Sequence, residues 1–406
     1  MKINKIDIVI FLFCIFFQNF ALYHNASFGL AALTFFLIYI GIKNKYYKNI
    51  DKNFIKLCVF ILATCLLSSV INYIFNYMTI IRLFMVLFDV YVSYRYIKDI
   101  YKDNKEYFFK VFKIMFCIVL VNGLYQLLAS NNHLPVFLNI FNNNTSYGGK
   151  EIYQTYNGWS ESFRIYSTSF EPSMHCFMVD FAFFFLLTLD KNKKSKFNII
   201  IYLLALANIV LTFSRSGWIV FIIFIGSYIL YKLLCEKFKF KIPYIIIMLL
   251  MPFICLGTMY YIGQKVFPDS SSVGRTYSAI HYINKAKARP RTLVIGRSIG
   301  SLFDDFEKSW AIMDGKWVPI EPYAHNGYVE VIYQLGIPFL IIFLLCIVKF
   351  IESGKEKKYN WLAYASFVSL FCFAKTYAVE SASSLVTIIV FASMYKEEIK
   401  GKKKKA

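Results

Sequence analysis

Residues 264–300 read QKVFPDSSSVGRTYSAIHYINKAKARPRTLVIGRSIG, and residues 321–326 read EPYAHN. This polar stretch, 264–326, separates one strongly apolar segment of the chain from the next. Residues 265–300 contain a single acid, Asp269. They contain seven basic residues, which are Lys265, Arg275, Lys285, Lys287, Arg289, Arg291 and Arg297. The stretch ends in the pair His325-Asn326, at the start of an apolar segment. We interpret it as the functional part, held at a bilayer surface by the rest of the chain.

The composition indicates a membrane protein. The chain has 406 residues, of which 58% are hydrophobic, and its mean hydropathy is +0.51. Apolar runs of about 17–23 residues recur from end to end, as in a multi-pass helical protein. The net charge of +21 comes mostly from lysines clustered beside these runs, which is the positive-inside pattern. A nucleic-acid partner is not expected, because no soluble domain carries a basic face.

The cysteines do not indicate disulfide bonds or metal ligands, and the N-terminal run does not indicate a cleaved signal peptide. All nine cysteines lie within or at the ends of apolar runs, so they are interpreted as packing residues and not as disulfides or metal ligands. The N-terminal run MKINKIDIVIFLFCIFFQNF resembles a signal peptide, but it has no small-x-small cleavage site. A retained first helix is therefore expected.

Placing each lysine cluster in the cytoplasm gives one consistent topology, an all-α polytopic integral membrane protein with about twelve spans. Both termini are then cytoplasmic and both long polar stretches are extracytoplasmic. The tenth span is expected as one helix over Tyr328–Val348. The expected divisions are membrane helices 1–5 (1–129), a first outer loop (130–173), helices 6–9 (174–263), a large outer loop with the catalytic residues (264–326), helices 10–12 (327–395) and a Lys-rich tail (396–406).

Arginines on the expected outer face require a reason, because the positive-inside rule disfavours them there. The planar guanidinium keeps its charge and fits phosphate oxygens. The cluster therefore indicates an anionic, lipid-linked group; the alternative is a solvated loop with headgroup contacts. No P-loop, HExxH or GxSxG is found, and no DxD-like acidic pair is positioned to hold a metal, so neither a metal nor a nucleotide or other cofactor is expected. The candidate residues on this face are Arg164, Glu171, Arg215, Arg275, Arg289, Arg291, Arg297 and His325.

Four short motifs in this order resemble the O-antigen polymerase / O-antigen ligase superfamily. They are RIYSTSFEPS from Arg164, TFSRSG from Thr212, Gly274-Arg275 with the later Pro290, Gly296 and Gly300, and Ala324-His325-Asn326 with Gly336-Ile337. The resemblance covers about Arg164 to Ile337, and the first five segments match only in topology. It departs at Gln334, where family members often carry Glu; Glu330 lies one turn earlier on the same helix face.

The resemblance implies a GT-C-like O-antigen ligase fold in the bacterial cytoplasmic membrane. It also implies a metal-independent glycosyltransferase that uses undecaprenyl-diphosphate-linked oligosaccharide as donor and acceptor. Membrane lipid, a chain-length regulator and a flippase are the expected partners.

Roles follow from the chemistry of the residues. Arg215 and Arg275 are assigned to the diphosphate leaving group, and His325 to the acceptor hydroxyl, as orienting group or base. The N-terminus of the following helix and nearby arginines are expected to keep His325 neutral. The predicted substrate contacts are Arg164, Glu171, Arg289, Arg291, Arg297, Asn326 and Glu330.

Three functions remain open at this point. The first is a polymerase of O-antigen or capsular repeat units, which the Glu171-Pro172-Ser173 stretch favours by resemblance. The second is a ligase that moves finished glycan to lipid A core or to another acceptor. The third is a transporter or flippase, which is disfavoured because broken helices in two matching halves are not evident.

Overall fold

A computed structural model describes most of the chain. The described residues are 3–17, 21–23, 26–50, 52–131, 153–156, 159–169, 172–190, 195–261, 270–304, 310–313, 316–319, 324–352 and 357–373. Helices dominate these ranges, together with three two-stranded antiparallel hairpins. The expectation of a helical architecture is confirmed to that extent.

The elements follow the apolar runs. The first five helices are α1 (Lys5–Phe16), α2 (Phe28–Lys43), α3 (Lys52–Asn72), α4 (Tyr77–Asp103) and α5 (Lys105–Asn131). The middle helices are α6 (Pro172–Leu189), α7 (Lys196–Leu211), α8 (Arg215–Leu230), which continues as π-helical Tyr231–Lys237, and α9 (Ile242–Tyr261). The last are α10 (Ser270–Ala288), α11 (Pro290–Ile295), α12 (Ser301–Asp304), α13 (Gly327–Leu335), α14 (Ile337–Glu352) and α15 (Asn360–Phe373). The hairpins pair β1 (Ala21–Tyr23) with β2 (Ala26–Ser27), β3 (Tyr153–Tyr156) with β4 (Trp159–Phe163), and β5 (Trp310–Met313) with β6 (Lys316–Pro319).

Four helices in the described ranges are long and apolar enough to cross a membrane. They are Phe54–Asn72, Lys105–Ala129, Pro172–Leu189 and Arg215–Lys237, and they run from 18 to 25 residues. Shorter apolar helices cover Ala32–Lys43, Lys196–Leu211 and Ile242–Met251. These helices indicate an integral membrane protein. The number of about twelve spans stays a prediction, and the last expected span, near residues 383–395, lies outside the described ranges.

Aromatic side chains fill the main core. Phe184 of α6 stacks on Phe224 of α8, with ring centroids 4.7 Å apart, and its edge meets Trp361 of α15 at 6.5 Å. Such pairs contribute about 0.5–1.5 kcal/mol beyond the area they bury. Gly217 lets α8 approach α6, because a Cβ there would overlap the side chain of Cys176. The core therefore fixes α6, α8 and α15 as one packed group.

Polar contacts join helix ends that the lysine pattern places on the cytoplasmic side. Lys43, at the end of α2, pairs with Asp7 of α1 at 2.6 Å. Lys113 of α5 pairs with Asp190, just after α6, at 3.1 Å, and Asn198 of α7 donates to the same carboxylate at 2.7 Å. These contacts join α1 to α2 and α5 to the connection between α6 and α7, and the orientation of the bundle in the membrane stays a prediction.

The single helix expected over Tyr328–Val348 is wrong, because two helices meet at Gly336. Gly336 has φ +89°, a left-handed value that glycine adopts without a Cβ clash. Pro338 then occupies the first turn of α14, where its missing N–H is tolerated. The amphipathic nine-residue α13 thus stands apart from the apolar α14.

In the polar stretch 264–326, most of the described residues between 270 and 304 are helical, in α10, α11 and α12. The apolar residues Ala279, Tyr282, Ile283 and Ala286 recur at helical spacing, and they pack in one cluster with Val329 and Tyr333 of α13. This amphipathic stripe explains why a polar stretch folds into α10 instead of an open loop. The rings of Tyr282 and Tyr333 lie 5.1 Å apart. The helix α10 is therefore anchored to α13 by this cluster.

Candidate active site

Arg164 is joined to the corner between α7 and α8. Its Nε donates to the carbonyl of Thr212 at 2.9 Å, and its Nη2 donates to the carbonyl of Phe213 at 3.1 Å. These carbonyls follow the C-terminus of α7, where a cation is electrostatically favoured. Two of the predicted motifs, residues 164–173 and 212–217, are thus brought together through the guanidinium of Arg164.

The corner itself is shaped by local hydrogen bonds. Phe213 has φ +46°, and Ser214 caps α8 by accepting a hydrogen bond from the backbone N–H of Gly217 at 3.2 Å. Arg215 is the first residue of α8 and is partly buried. A cation at a helix N-terminus is electrostatically disfavoured unless an anion is near. An anion at this place is stabilised both by the helix N-terminus and by the guanidinium. This corner therefore suits a negatively charged ligand.

A buried histidine, His175, lies beneath this corner. It was not among the candidate residues predicted from the sequence. The Nε2 of His175 in α6 lies 3.0 Å from Oδ1 of Asn208 in α7, and Nδ2 of Asn208 donates to the carbonyl of Leu120 in α5 at 3.1 Å. Gly123 leaves room for this pair, because a Cβ there would overlap Asn208. The only signal in the sequence is that both residues are polar within apolar segments. The pair ties three helices together below the arginines.

His325 lies in a strained turn before α13. Its φ is +51°, a region that non-glycine residues rarely occupy. The next residue, Asn326, is the N-cap of α13, and its Oδ1 accepts from the backbone N–H groups of Tyr328 and Val329 at 3.1 and 3.2 Å. Asn326 is only 2% exposed. Its side chain therefore caps α13, and its contact with substrate stays a prediction.

Glu330 closes the same turn from the other side. Its Oε1 accepts a hydrogen bond from the backbone N–H of Ala324 at 3.1 Å, and its side chain is buried. The backbone N–H of Glu330 donates to the carbonyl of Asn326 at 3.0 Å. The three residues Ala324–Asn326 are therefore held on both sides of His325. This geometry gives Glu330 a positioning role in addition to the predicted substrate contact.

The packing of α10 on α13 links the helix that contains Arg275 to the turn that contains His325. Ala279 of α10 and Ala324 are both fully buried in one cluster. Arg275 precedes Ala279 by four residues in the helix, so the two positions share one face. The side chain of Arg275 lies outside what the structure describes. The position of Arg275 nevertheless falls one helical turn from a residue that packs with the neighbour of His325.

Two glycines allow the segment after α11 to dock on α13. A Cβ at Gly296 would lie 2.2 Å from the carbonyl oxygen of Gln334, and a Cβ at Gly336 would lie 2.4 Å from that of Val294. The backbone N–H of Arg297 donates to the carbonyl of Tyr333 at 2.8 Å. Arg297 is thereby attached at Tyr333, six residues after the first residue of α13, Gly327, which is roughly 9 Å along the helix axis.

Gln334 has a defined role at the position where the family resemblance departs. Its Oε1 accepts a hydrogen bond from the backbone N–H of Gly300 at 2.6 Å. Its own carbonyl accepts from the N–H of Ser298 at 3.0 Å. An amide oxygen makes these contacts without a charge, so the residue holds the docked segment in place.

The remaining candidates lie elsewhere. Arg289 and Arg291 are exposed, and Nη2 of Arg291 donates to the carbonyl of Ile71 at the end of α3 at 2.8 Å. Glu171 lies outside the described residues. Among the residues that are described, no group of three or more His, Cys, Asp or Glu is placed to hold a metal.

Residues 200–344 match the sequence model of a family described as O-antigen ligase. The match runs from α7 into α14, so it includes both the α7–α8 corner and the turn of His325. Arg164 and Glu171 precede it. No curated protein and no solved structure matches the chain.

Proposed function

We propose that this chain, in which residues 200–344 form an O-antigen ligase family domain, polymerises lipid-linked oligosaccharide repeat units. The donor is an undecaprenyl-diphosphate-linked oligosaccharide, and the reaction is glycosyl transfer at the outer face of the cytoplasmic membrane. Glycan transfer of the O-antigen ligase or polymerase type is what the family domain supports. The polymerase branch, the donor and the membrane face are parts of our proposal.

The packing of α10 on α13 is the observation that carries the proposal. The buried cluster that contains Ala279 and Ala324 links the helix of Arg275 to the turn of His325. A basic group for a leaving diphosphate and an imidazole for a hydroxyl can then serve one reaction centre. Both residues lie within the matched domain.

The chemistry needs few groups. The anomeric carbon of the donor sugar loses its bond to the diphosphate oxygen and gains a bond to the acceptor hydroxyl oxygen. The hydroxyl proton passes to the imidazole of His325, which acts as general base. Arg215 and Arg275 stabilise the negative charge that grows on the departing diphosphate. Arginine cannot be the base, because it stays protonated.

The polymerase is favoured over the ligase by the resemblance of the Glu171-Pro172-Ser173 stretch alone. The ligase, which transfers finished glycan from the same lipid to another acceptor, remains the second candidate. The flippase is disfavoured, because a family domain described as O-antigen ligase supports transfer chemistry.

Deleting the gene and profiling the glycans tests the proposal. Single repeat units on the acceptor indicate a polymerase, and unattached lipid-linked polymer indicates a ligase. Complementation with Arg275→Lys, which keeps the charge and loses the planar fork, should restore little polymer although the protein inserts normally. The matched control is Arg95→Lys, an arginine that donates to Tyr91 at 3.0 Å and should restore polymer. Unchanged glycans in the deletion strain would overturn the proposal.

A further inference from the structure

A strongly basic surface lies at the junction of α10 and α11. No acid occurs between Ser270 and Phe303, while four cations lie within residues 285–291. Lys287, Arg289 and Arg291 are exposed, and Lys285 is partly buried. We call these four residues the basic patch. The charge is concentrated on one exposed rim, on the side of the chain where the positive-inside rule disfavours it.

An exposed aromatic surface lies between α3 and α4. Tyr73, Phe75 and Tyr77 are 96%, 61% and 61% exposed, and we call them the aromatic turn. Tyr73 has φ +54°, a left-handed conformation that bulky residues rarely adopt. Tyrosine is enriched at membrane–water boundaries, so the exposed pair Tyr73 and Tyr77 favours such a location.

Hydrogen bonds hold the two surfaces side by side. Nη2 of Arg291 donates to the carbonyl of Ile71 at 2.8 Å, and Nδ2 of Asn72 donates to the carbonyl of Gly296 at 3.0 Å. Oγ of Ser298 donates to the carbonyl of Ile74 at 3.0 Å. Because α3 is a helix of membrane-crossing length that ends at Asn72, both surfaces lie at the end of a candidate span.

We propose that the basic patch binds the phosphate groups of anionic phospholipids in the outer leaflet, while the aromatic turn occupies the headgroup–acyl boundary. Exposed lysines and arginines attract anionic headgroups within a Debye length, and amphipathic rings favour that depth. The inference rests on the outer location of α10 and α11 and not on the glycan transfer proposed above. It gives Arg289 and Arg291 a phospholipid ligand in place of the donor diphosphate.

The patch lies to one side of the reaction centre. Arg291 is bound to the end of α3, and its exposed side chain belongs to the rim. His325 lies at the other end of α13 from the docking site of Gly296. A phospholipid bound to the basic patch would fix the position of α10 relative to the membrane surface. Because α10 packs on α13, it would also fix the position of the His325 turn.

Lipid retention by the full-length protein tests the inference. The protein is reconstituted in vesicles of equal parts phosphatidylcholine and phosphatidylglycerol and then extracted, and the retained phosphatidylglycerol is measured by mass spectrometry. The neutral variant Lys287→Gln/Arg289→Gln should retain about fivefold less per charge removed. The matched control, Lys287→Arg/Arg289→Lys, keeps the charge and should retain as much as wild type. Size-exclusion chromatography checks that each variant is folded.

Three results would overturn the inference. One is equal phosphatidylglycerol retention by folded neutral variant and wild type. Another is loss of retention in the charge-preserving variant. The third is displacement of the retained phosphatidylglycerol by a short-chain polyprenyl diphosphate, which would make the patch part of the donor site. If glycan transfer itself proves wrong, the retention result still stands, because it measures binding alone.

Discussion

The carboxylate of Glu330 accepts a hydrogen bond from the backbone N–H of Ala324 at 3.1 Å, across the turn that presents His325. Asn326 caps the following helix, so the turn is held by two side chains while His325 keeps a φ of +51°. A strained conformation persists only where its surroundings impose it. The relationship makes Glu330 a positioning residue for His325.

Replacing Glu330 tests this role. Glu330→Ala leaves the buried N–H of Ala324 unsatisfied, which costs about 1–3 kcal/mol, and we expect at least a tenfold loss of transfer. Glu330→Gln retains an acceptor oxygen and should keep most of the activity. The control is Glu236→Ala, which removes an exposed carboxylate that pairs with Lys232. Equal loss in Gln and Ala variants would show that the charge, and not the position, matters.

Two substitutions of His325 distinguish a role in proton transfer from a role in orienting the acceptor hydroxyl. His325→Ala should abolish transfer and leave donor binding largely intact, because the base is lost while the arginines remain. His325→Gln can accept a hydrogen bond but is a very poor base. In a reconstituted assay with lipid-linked oligosaccharide, near-normal activity of the Gln variant would limit His325 to orientation. Near-normal activity of the Ala variant would remove it from the site.

The glycine contacts between residues 294–296 and α13 are expected to be indispensable. Gly296→Ala and Gly336→Ala would each place a Cβ 2.2–2.4 Å from a backbone carbonyl oxygen, at a positive φ. Strain and overpacking together cost about 2–5 kcal/mol. Both variants should lower the thermal stability of the purified protein and its transfer activity.

Gly226→Ala is the control for this prediction. Gly226 lies within α8, and nothing approaches its Cβ position within 4 Å. Alanine favours the helix by about 1 kcal/mol over glycine, so stability should hold or rise. Equal melting temperatures for Gly296→Ala and Gly226→Ala would contradict the close approach.

Arg164 is expected to act on the α7–α8 corner through structure. Its fork donates to the carbonyls of Thr212 and Phe213, a geometry that lysine cannot reproduce. Arg164→Lys should destabilise the protein by about 1–3 kcal/mol and reduce transfer. The thermal melting midpoint measures the first effect. Unchanged stability with lost transfer would instead favour the predicted contact with sugar or diphosphate.

The membrane orientation can be tested with exposed positions. Tyr73 is 96% exposed and Tyr47 is 58% exposed, and the lysine pattern places them outside and inside, respectively. In a variant without its native cysteines, Tyr73→Cys should react with an impermeant thiol reagent in intact cells. Tyr47→Cys should react only after the cells are permeabilised. Labelling of Tyr47→Cys in intact cells would invert the topology.

The sequence by itself determined the class of protein and the position of many helices. Apolar runs bounded by lysine predict membrane helices over 1–129 and 174–263, and α3, α5, α6 and α8 lie in these ranges to within two residues, because burial in lipid depends on local composition. The start of α13 after Asn326 was equally legible, because capping is a local interaction. The order of the motifs between Arg164 and Ile337 indicated the same family whose sequence model matches residues 200–344.

Only the tertiary structure decided how distant residues meet. Arg164 binds carbonyls 48 and 49 positions away, and His175 lies within hydrogen-bond distance of Asn208 in the next helix. The break at Gly336 arises because the backbone of Val294 and Gly296 approaches α13 there, and α10 is a helix that buries a stripe against the same short helix. Hydropathy and motif spacing carry local preferences, whereas these contacts depend on which surfaces the folded chain brings into register. That long-range choice buries Ala279 of α10 and Ala324, the neighbour of His325, in one cluster.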